Sequence, residues 1–202
     1  MRIFLAGATG RTGRQILQQA RPRGHQITAL VRGGADRLEP AESWLRILKG
    51  DLLDHPNLAE IVAHHDAIIT ALSSSVIEAA TLKLIDAAQT AKVPRFLGLA
   101  GGGILQLDAH SLRRDRPGYP ASFRTSSEGH LRAWKALEAS TLDWTLVCTP
   151  DLLDTPATGR ATALADFMPQ GGKSVPRADV AAFMMTELDQ PRFSRKRVGL
   201  TV

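Results

Sequence analysis

The sequence predicts an α/β fold: a doubly wound parallel sheet, wrapped by helices on both faces and built as one domain over residues 1–202. Three observations predict it. Short runs rich in β-forming apolar residues alternate along the chain with stretches whose apolar residues recur at helical spacing. The first run, Arg2-Ile-Phe-Leu-Ala6, leads straight into glycines at 7, 10 and 13 and then a helical stretch. A length of 202 residues with 44% hydrophobic content allows one sizeable core, and no linker or low-complexity tract marks a second domain.

The elements follow in order. Ile3 to Ala6 reads as the first strand, and Arg14 to Arg21, with Ile16, Leu17 and Ala20 on one face, as the first helix. Gln26 to Val31 and Leu45 to Leu48 are the next two strands, followed by a short helix from Leu58 to Ala63 with Asp54 as its candidate cap. Ala67 to Leu72 is the fourth strand. Val76 to Lys92, capped by Ser75, is the next helix, and Arg95 to Ala100 the fifth strand. After an irregular stretch from Leu105 to Thr125 come a helix, Glu128 to Ser140, and a sixth strand, Thr145 to Thr149. The helix Ala178 to Leu188 and the strand Val198 to Val202 close the chain.

In such sheets ligands bind beyond the carboxyl ends of the strands, where the strand order reverses, so those ends are the residues to read. Gly7 allows a tight strand-to-helix turn, Gly10 lets the backbone approach a phosphate, and Gly13 lets the helix pack closely on the strand. With Thr9, Arg11 and Thr12 they form a candidate pyrophosphate cradle at a helix N-terminus, which implies a bound dinucleotide. After the second strand, Arg32 stands where an NAD-preferring site often places an acid for the ribose hydroxyls. A guanidinium suits a 2′-phosphate, so NADP(H) is expected over NAD(H), with Arg11 and Arg37 as helpers; the plain alternative is a surface arginine on a loop. After the third strand, Asp51 offers an acceptor for the adenine amino group beside the apolar Leu52, or else caps a turn. After the fourth, Ala71, Leu72 and Ser73 are small or apolar where the middle of the cofactor must pass close to backbone.

Composition excludes several classes. The net charge of +5 is dispersed, and only Arg113 to Arg116 and Arg192 to Arg197 cluster, without interleaved aromatics and with 5% aromatic content overall. A solvated surface is expected, not a nucleic-acid partner. No apolar run approaches the roughly 18 residues of a membrane span, and Met1-Arg2 leads directly into a strand, so a cytoplasmic protein with no membrane partner is expected. The single cysteine, Cys148, lies in an apolar run and reads as inert packing. His64 and His65 are adjacent and diverge on a helix end, so they read as surface residues, and no metal site is expected. The chain is taken as a monomer or weak homodimer.

Gly-Ala-Thr-Gly-Arg-Thr-Gly at 7 to 13, Leu-Val-Arg at 30 to 32, Gly-Asp-Leu at 50 to 52 and Asp-Ala-Ile-Ile-Thr-Ala-Leu at 66 to 72 resemble the atypical short-chain dehydrogenase/reductase superfamily. Within it they resemble the NmrA-like branch that includes biliverdin-IXβ reductase/flavin reductase and bacterial NADH-flavin reductases. Leu142 to Val147, Thr149-Pro150 and Arg177 to Ala181 resemble that branch's sixth strand and last helix, so the match covers nearly the whole chain. The resemblance implies a Rossmann-type fold and an NAD(P)H-dependent oxidoreductase, with Ala100, Gly101 and Pro150 beside the cofactor.

The departures bear on mechanism. The superfamily usually pairs a catalytic Tyr with a Lys four residues on; here the only tyrosine, Tyr119, lies in a turn-like Arg116-Pro-Gly-Tyr-Pro120, and Lys135 has Leu131 four residues before it. His130 stands about where the biliverdin/flavin branch carries a histidine and is the candidate catalytic residue, against a helix-surface or capping role. Gly101 replaces the Ser or Thr that related reductases carry near the nicotinamide, which removes a carbonyl donor and disfavours ketone or epimerase chemistry. A glycine run does let a flat ring approach. A flavin (FMN or FAD, as substrate and not prosthetic group) or a biliverdin-like tetrapyrrole needs mainly such proximity, because its ring system delocalises the charge.

Residues 101–125 and 150–170 are expected to wall the acceptor pocket. Gly102, Arg113, Arg114, Tyr119, Phe123, Arg124 and Leu152 are its candidate substrate contacts, the arginines for carboxylates or phosphates, with Arg116, Leu153, Phe167 and Met168 nearby. Two other readings stay open: a non-catalytic NADP(H)-binding sensor that regulates a partner, and a reductase or epimerase of a small carbonyl compound with His130 as acid.

Overall fold

The computed structural model describes residues 1–38 and 42–202. β1 (Arg2–Ala6), β2 (Gln26–Val31), β3 (Leu45–Lys49), β4 (Ala67–Thr70), β5 (Arg95–Gly101), β6 (Asp143–Thr149), β8 (Thr162–Ala165) and β10 (Lys196–Thr201) form one sheet in the order β3-β2-β1-β4-β5-β6-β10-β8. All neighbours run parallel except β8, which is antiparallel to β10 at the edge. A separate two-stranded parallel ribbon joins β7 (Asp151–Leu153) to β9 (Ser174–Pro176). The order reverses between β1 and β4, the switch point at which open α/β sheets bind ligands.

Because successive strand residues face opposite sides, the sheet has two cores. Ile3, Leu5, Ile69, Leu97 and Val147 face α1 (Arg11–Ala20) and α5 (Arg177–Asp189), packing on Ile16, Leu17, Val180 and Met184. Phe4, Ile68, Phe96 and Cys148 face the other way, with Val62 of α2 (Leu58–Val62), Leu84 and Ala88 of α3 (Ile77–Ala91) and Leu137 of α4 (Ala121–Ala139). A buried ion pair pins the far end of the sheet. Glu187 of α5, fully buried, accepts from Arg95 Nη2 at 3.1 Å, Phe193 N at 2.9 Å and Arg192 N at 3.1 Å. A buried charge survives only when its hydrogen bonds are met in this way.

Several expectations are corrected. α1 starts at Arg11, three residues early, so Gly13 lies inside the helix. The residue before α2 is Asn57 and the one before α3 is Val76; neither Asp54 nor Ser75 caps, and Ser75 Oγ instead meets Ser73 Oγ at 2.9 Å. α4 begins at Ala121, because Pro120 fixes an extended entry and Ala121 to Thr125 form an exposed turn with no apolar periodicity to reveal it. The stretch 151–170, read only as a pocket wall with no strand assigned to it, contains β7 and β8, whose short, half-exposed runs give no continuous apolar signal.

Candidate active site

A cleft of about 380 Å³ opens at the switch point, lined by Gly7, Thr9, Gly10, Arg32, Asp51, Leu52, Ala71, Leu72 and Ser73, all of them sequence-predicted. The two structural glycines are demanded by packing. Gly7 has φ +93°, and a Cβ there would lie 2.4 Å from the Ala71 carbonyl oxygen, where the ends of β1 and β4 converge. A Cβ on Gly13 would lie 2.1 Å from the Gly7 oxygen, so only glycine lets α1 sit against the turn. Gly10 differs: it is exposed, its Cβ would come no nearer than 3.2 Å, and its bareness serves the cleft and not the core. No side chain caps the start of α1 and no acid occupies its first turn, leaving N–H groups and the helix dipole to an anion.

Arg32 lines the adenosine end expected from the motif, 70% exposed, its Nη1 3.5 Å from Asp51 Oδ2. Asp51 does cap a turn, since its Oδ1 accepts from Leu53 N at 2.9 Å. Arg11 is drawn elsewhere. Its guanidinium pairs with Asp154 in a separate groove, and Asp154 also accepts from Arg177 Nε at 2.7 Å while Arg177 Nη1 donates to Thr12 Oγ1 at 3.2 Å. Arg11 is therefore committed to tying the strand-β7 wall to α1, not held free as a helper to Arg32. Arg37 folds back over Gly34, its Nε 3.3 Å from where a Cβ would stand.

Beyond β5 the chain turns through Gly101 to Ile104, and Gln106 N donates to Asp166 O at 2.8 Å, joining the two segments expected to wall the acceptor pocket. Ala100 is buried in the core and Pro150 is half-buried between β6 and β7. His130 is half-buried, its ring turned against the end of β5. A Cβ on Gly101 would lie 3.4 Å from its Cδ2, and its Nδ1 is buried with no hydrogen-bond partner among the described residues. Burial pushes its pKa down to about 4, which favours the neutral imidazole over the imidazolium that an acid role would use. Gly129, one residue before it, lets α4 close on the Ser74 carbonyl, 3.1 Å from the position of a Cβ.

The acceptor-side residues divide. Arg113 is half-buried and has no carboxylate partner among the described residues; burial first, then Arg116, lowers its pKa, while the Tyr119 oxygen opposes that. Arg114 is spent on Glu128, at 2.6 Å, which in turn bonds Arg132 and is held below the usual carboxylate range by both. Phe123 and Arg124 lie exposed on the first turn of α4, which starts earlier than expected. Leu152 packs on the core from β7. Met168 reaches Gly102, whose Cβ would lie 2.9 Å from the Met168 Cε, whereas Leu153 and Phe167 are exposed.

One feature escaped the sequence reading. Tyr119 Oη lies 2.6 Å from Ser127 Oγ, and each would be 2.5 Å from a Cβ on Gly103. The signal was present: Ser127 is three residues before His130, hence on the same helix face.

Other groups are settled by packing. Cys148 is buried, its thiol pushed up to about 12. His65 is not a free surface residue: its Nδ1–H donates to Val62 O at 3.0 Å and its Nε2 meets Thr28 Oγ1 at 2.9 Å. Arg195 donates to the carbonyls of Glu138, Ser140 and Leu142 around the C-terminus of α4, and Arg197 stacks 3.8 Å over Trp134 and donates to Ile104 O. Among the described residues no helix is long and apolar enough to cross a membrane.

The YwnB protein of Bacillus subtilis (strain 168) is 28% identical over 98% of this chain and 96% of its own length. The "Probable pinoresinol-lariciresinol reductase 3" of Arabidopsis thaliana is 26% identical over 99% of this chain and 67% of the plant protein. Among solved structures, ChuY, an anaerobillin reductase from Escherichia coli O157:H7, has the same fold, with a TM-score of 0.79 at 22% identity over 100% of this chain and 97% of ChuY. With a glycine-cradled cleft at the switch point of a doubly wound sheet, and a match over residues 7–191, the chain belongs to the NAD(P)H-binding family, as an NAD(P)H-dependent oxidoreductase of the atypical short-chain dehydrogenase/reductase kind.

Proposed function

We propose that the chain is a cytoplasmic NADPH-dependent reductase that passes a hydride to a flat conjugated acceptor, a flavin such as FMN or FAD or a biliverdin-like tetrapyrrole. The observation that carries this reading is the end of β5: Gly101 bears no side chain and the rim of a neutral His130 stands 3.4 Å from where its Cβ would be, while the next residue, Gly102, is closed by the Met168 methyl and the Thr149 carbonyl. A planar ring can lie against such a surface.

When bound, the reduced nicotinamide supplies the hydride. The chain's own residues hold and orient. Gly7, Gly10 and the uncapped start of α1 suit the pyrophosphate, Arg32 suits a 2′-phosphate, and Asp51 with Leu52 suits the adenine. Ala71, Leu72 and Ser73 leave room for the central portion. Arg113, half-buried and without an acidic partner among the described residues, suits a carboxylate or phosphate of the acceptor. The fold is also that of a protein named as an anaerobillin reductase.

The test is oxidation of NADPH and NADH, followed at 340 nm, by pure dialysed protein with FMN, FAD, riboflavin, biliverdin and quinones as separate acceptors. Turnover with a planar acceptor is expected. Arg32→Ala should raise KM for NADPH about 5- to 30-fold, the equivalent of about 1–2 kcal/mol for a charge-assisted bond at an exposed site, and change NADH little. Background rates with every acceptor would refute the proposal.

A further inference from the structure

The two edges of the sheet are finished differently. β3 turns Arg46 and Lys49 to solvent, charges of the kind that keep another strand from adding to an edge. β8, at the opposite edge, reads Thr162-Ala-Leu-Ala165, with no charge, no proline and an exposed Leu164. Phe167, just past β8, is exposed too, as are Leu107, beside the residue that bridges to Phe167, and Val202, which follows the β10 partner of Thr162. Exposed apolar side chains thus gather at one edge of the sheet, the kind of patch that marks an interaction surface.

The backbone of β8 shows which groups are left open. Asp166 N donates to Arg197 O at 2.5 Å, and the antiparallel register pairs Leu164 with Gly199 and Thr162 with Thr201, so these residues turn their N–H and C=O towards β10. By the same alternation Ala163 and Ala165, and Ala161 just before the strand, point theirs out of the sheet, where no group among the described residues meets them.

We propose that this edge is a dimer interface: β8 pairs antiparallel with β8 of a second copy of this chain about a two-fold axis at Ala163, so that one sheet runs through both. That centring uses all three outward residues. Ala163 meets Ala163 of the partner subunit and Ala161 meets Ala165 of the partner subunit, each pair exchanging two backbone hydrogen bonds. The same register sets Arg160, exposed and without an acidic partner among the described residues, opposite Asp166 of the partner subunit at both ends of the ladder. Leu164 then lies opposite Thr162 of the partner subunit and diagonal to Leu164 of the partner subunit, taking apolar surface from water. A slip of one residue would set outward groups against inward ones, and a slip of two would part Arg160 from its carboxylate and leave an outward alanine unpaired. A pair of short strands is a small interface, so the association depends on concentration.

The test is sedimentation equilibrium of the pure protein from about 1 to 500 µM, where the apparent mass should rise from 21.8 kDa towards twice that value. Leu164→Lys, at an exposed position, should weaken association at least tenfold by setting like charges across the axis. Arg160→Glu should weaken it about 5- to 10-fold, and by less at 0.5 M salt. Thermal stability and NADP⁺ affinity serve as folding controls. Oxidation with glutathione reads the register. Paired residues at the axis stand about 5.5 Å apart between Cα atoms, within disulfide reach, so Ala163→Cys should cross-link. Ala161→Cys, on the same face but two residues off the axis, should not, and the buried Cys148 does not compete. A single 21.8 kDa species at every concentration, with no cross-link through Ala163→Cys, would overturn the assignment. So would a dimer that Leu164→Lys leaves intact, or cross-linking as fast from Ala161→Cys as from Ala163→Cys.

Discussion

Gly10 and Gly13 belong to one motif yet do different work, and replacing each by alanine separates the two. In Gly13→Ala the new Cβ would stand 2.1 Å from the Gly7 oxygen and 2.8 Å from Ala8 Cα, so α1 must retreat by about 1 Å from the turn. Such overpacking against backbone costs about 1–3 kcal/mol or more, and the higher helix propensity of alanine returns about 1. Because both close atoms are backbone and cannot rotate away, overpacking wins, and a net loss of about 1–2 kcal/mol is expected. The retreat also carries the helix N-terminus away from the phosphate, so NADPH binding should weaken at least tenfold. In Gly10→Ala the nearest protein atom is 3.2 Å off and the residue is exposed, so stability should fall by under about 1 kcal/mol, the difference between the two residues at a helix N-cap. NADPH affinity should still drop about tenfold, since the methyl occupies the space the phosphate needs. Urea denaturation followed by fluorescence of Trp44, Trp134 and Trp144 gives the stabilities, and calorimetry gives the Kd values. The reasoning is refuted if Gly10→Ala is destabilised as much as Gly13→Ala, or if it binds NADPH as well as wild type.

Removing Glu187 takes the buried counter-charge from Arg95 and leaves it Thr145 Oγ1 at 2.8 Å, the Asp143 carbonyl at 3.2 Å and the half-exposed Asp143 carboxylate at 3.5 Å, so Glu187→Ala should lose about 3–5 kcal/mol in urea denaturation; a loss under 1 would mean that water and these partners repair the site. His130 titrates at about 4 when folded and near 6.5 when unfolded, so the unfolded chain binds the extra proton first. Stability is therefore unaffected by this group above pH 6.5 and declines as pH falls towards 4, by about 2–3 kcal/mol at pH 4.5. His130→Gln should remove that share of the pH dependence, and identical slopes for the two proteins would contradict the burial. Cys148 should resist a thiol reagent at pH 8 in the folded protein and react fully in urea, whereas fast labelling of native protein would show its strand to open.

The doubly wound sheet and its cleft were legible because both depend on local patterns. Strand and helix periodicity, and the spacing of Gly7, Gly10 and Gly13, are set by backbone geometry within one turn of chain, and Arg32, Asp51 and Ser73 follow from counting to the end of each strand. What failed was what depends on partners distant in sequence. Nothing local distinguishes Arg114, neutralised by Glu128, from Arg113, left without an acid among the described residues; nor does the sequence show Arg11 drawn across to Asp154, 143 residues away. The weakly patterned β8 exists as a strand only because β10 offers it an edge.

By itself, then, the sequence determined a doubly wound α/β sheet and the glycine turn that opens α1, since glycine positions and apolar periods act through short-range sterics and burial. The tertiary structure alone decided the strand order, with its switch point between β1 and β4, and which side chains meet beyond the end of β5. His130 loses its charge through burial, and Tyr119 finds Ser127, because α4 closes over the glycines beyond β5, and long-range packing, not spacing, brings those atoms within reach.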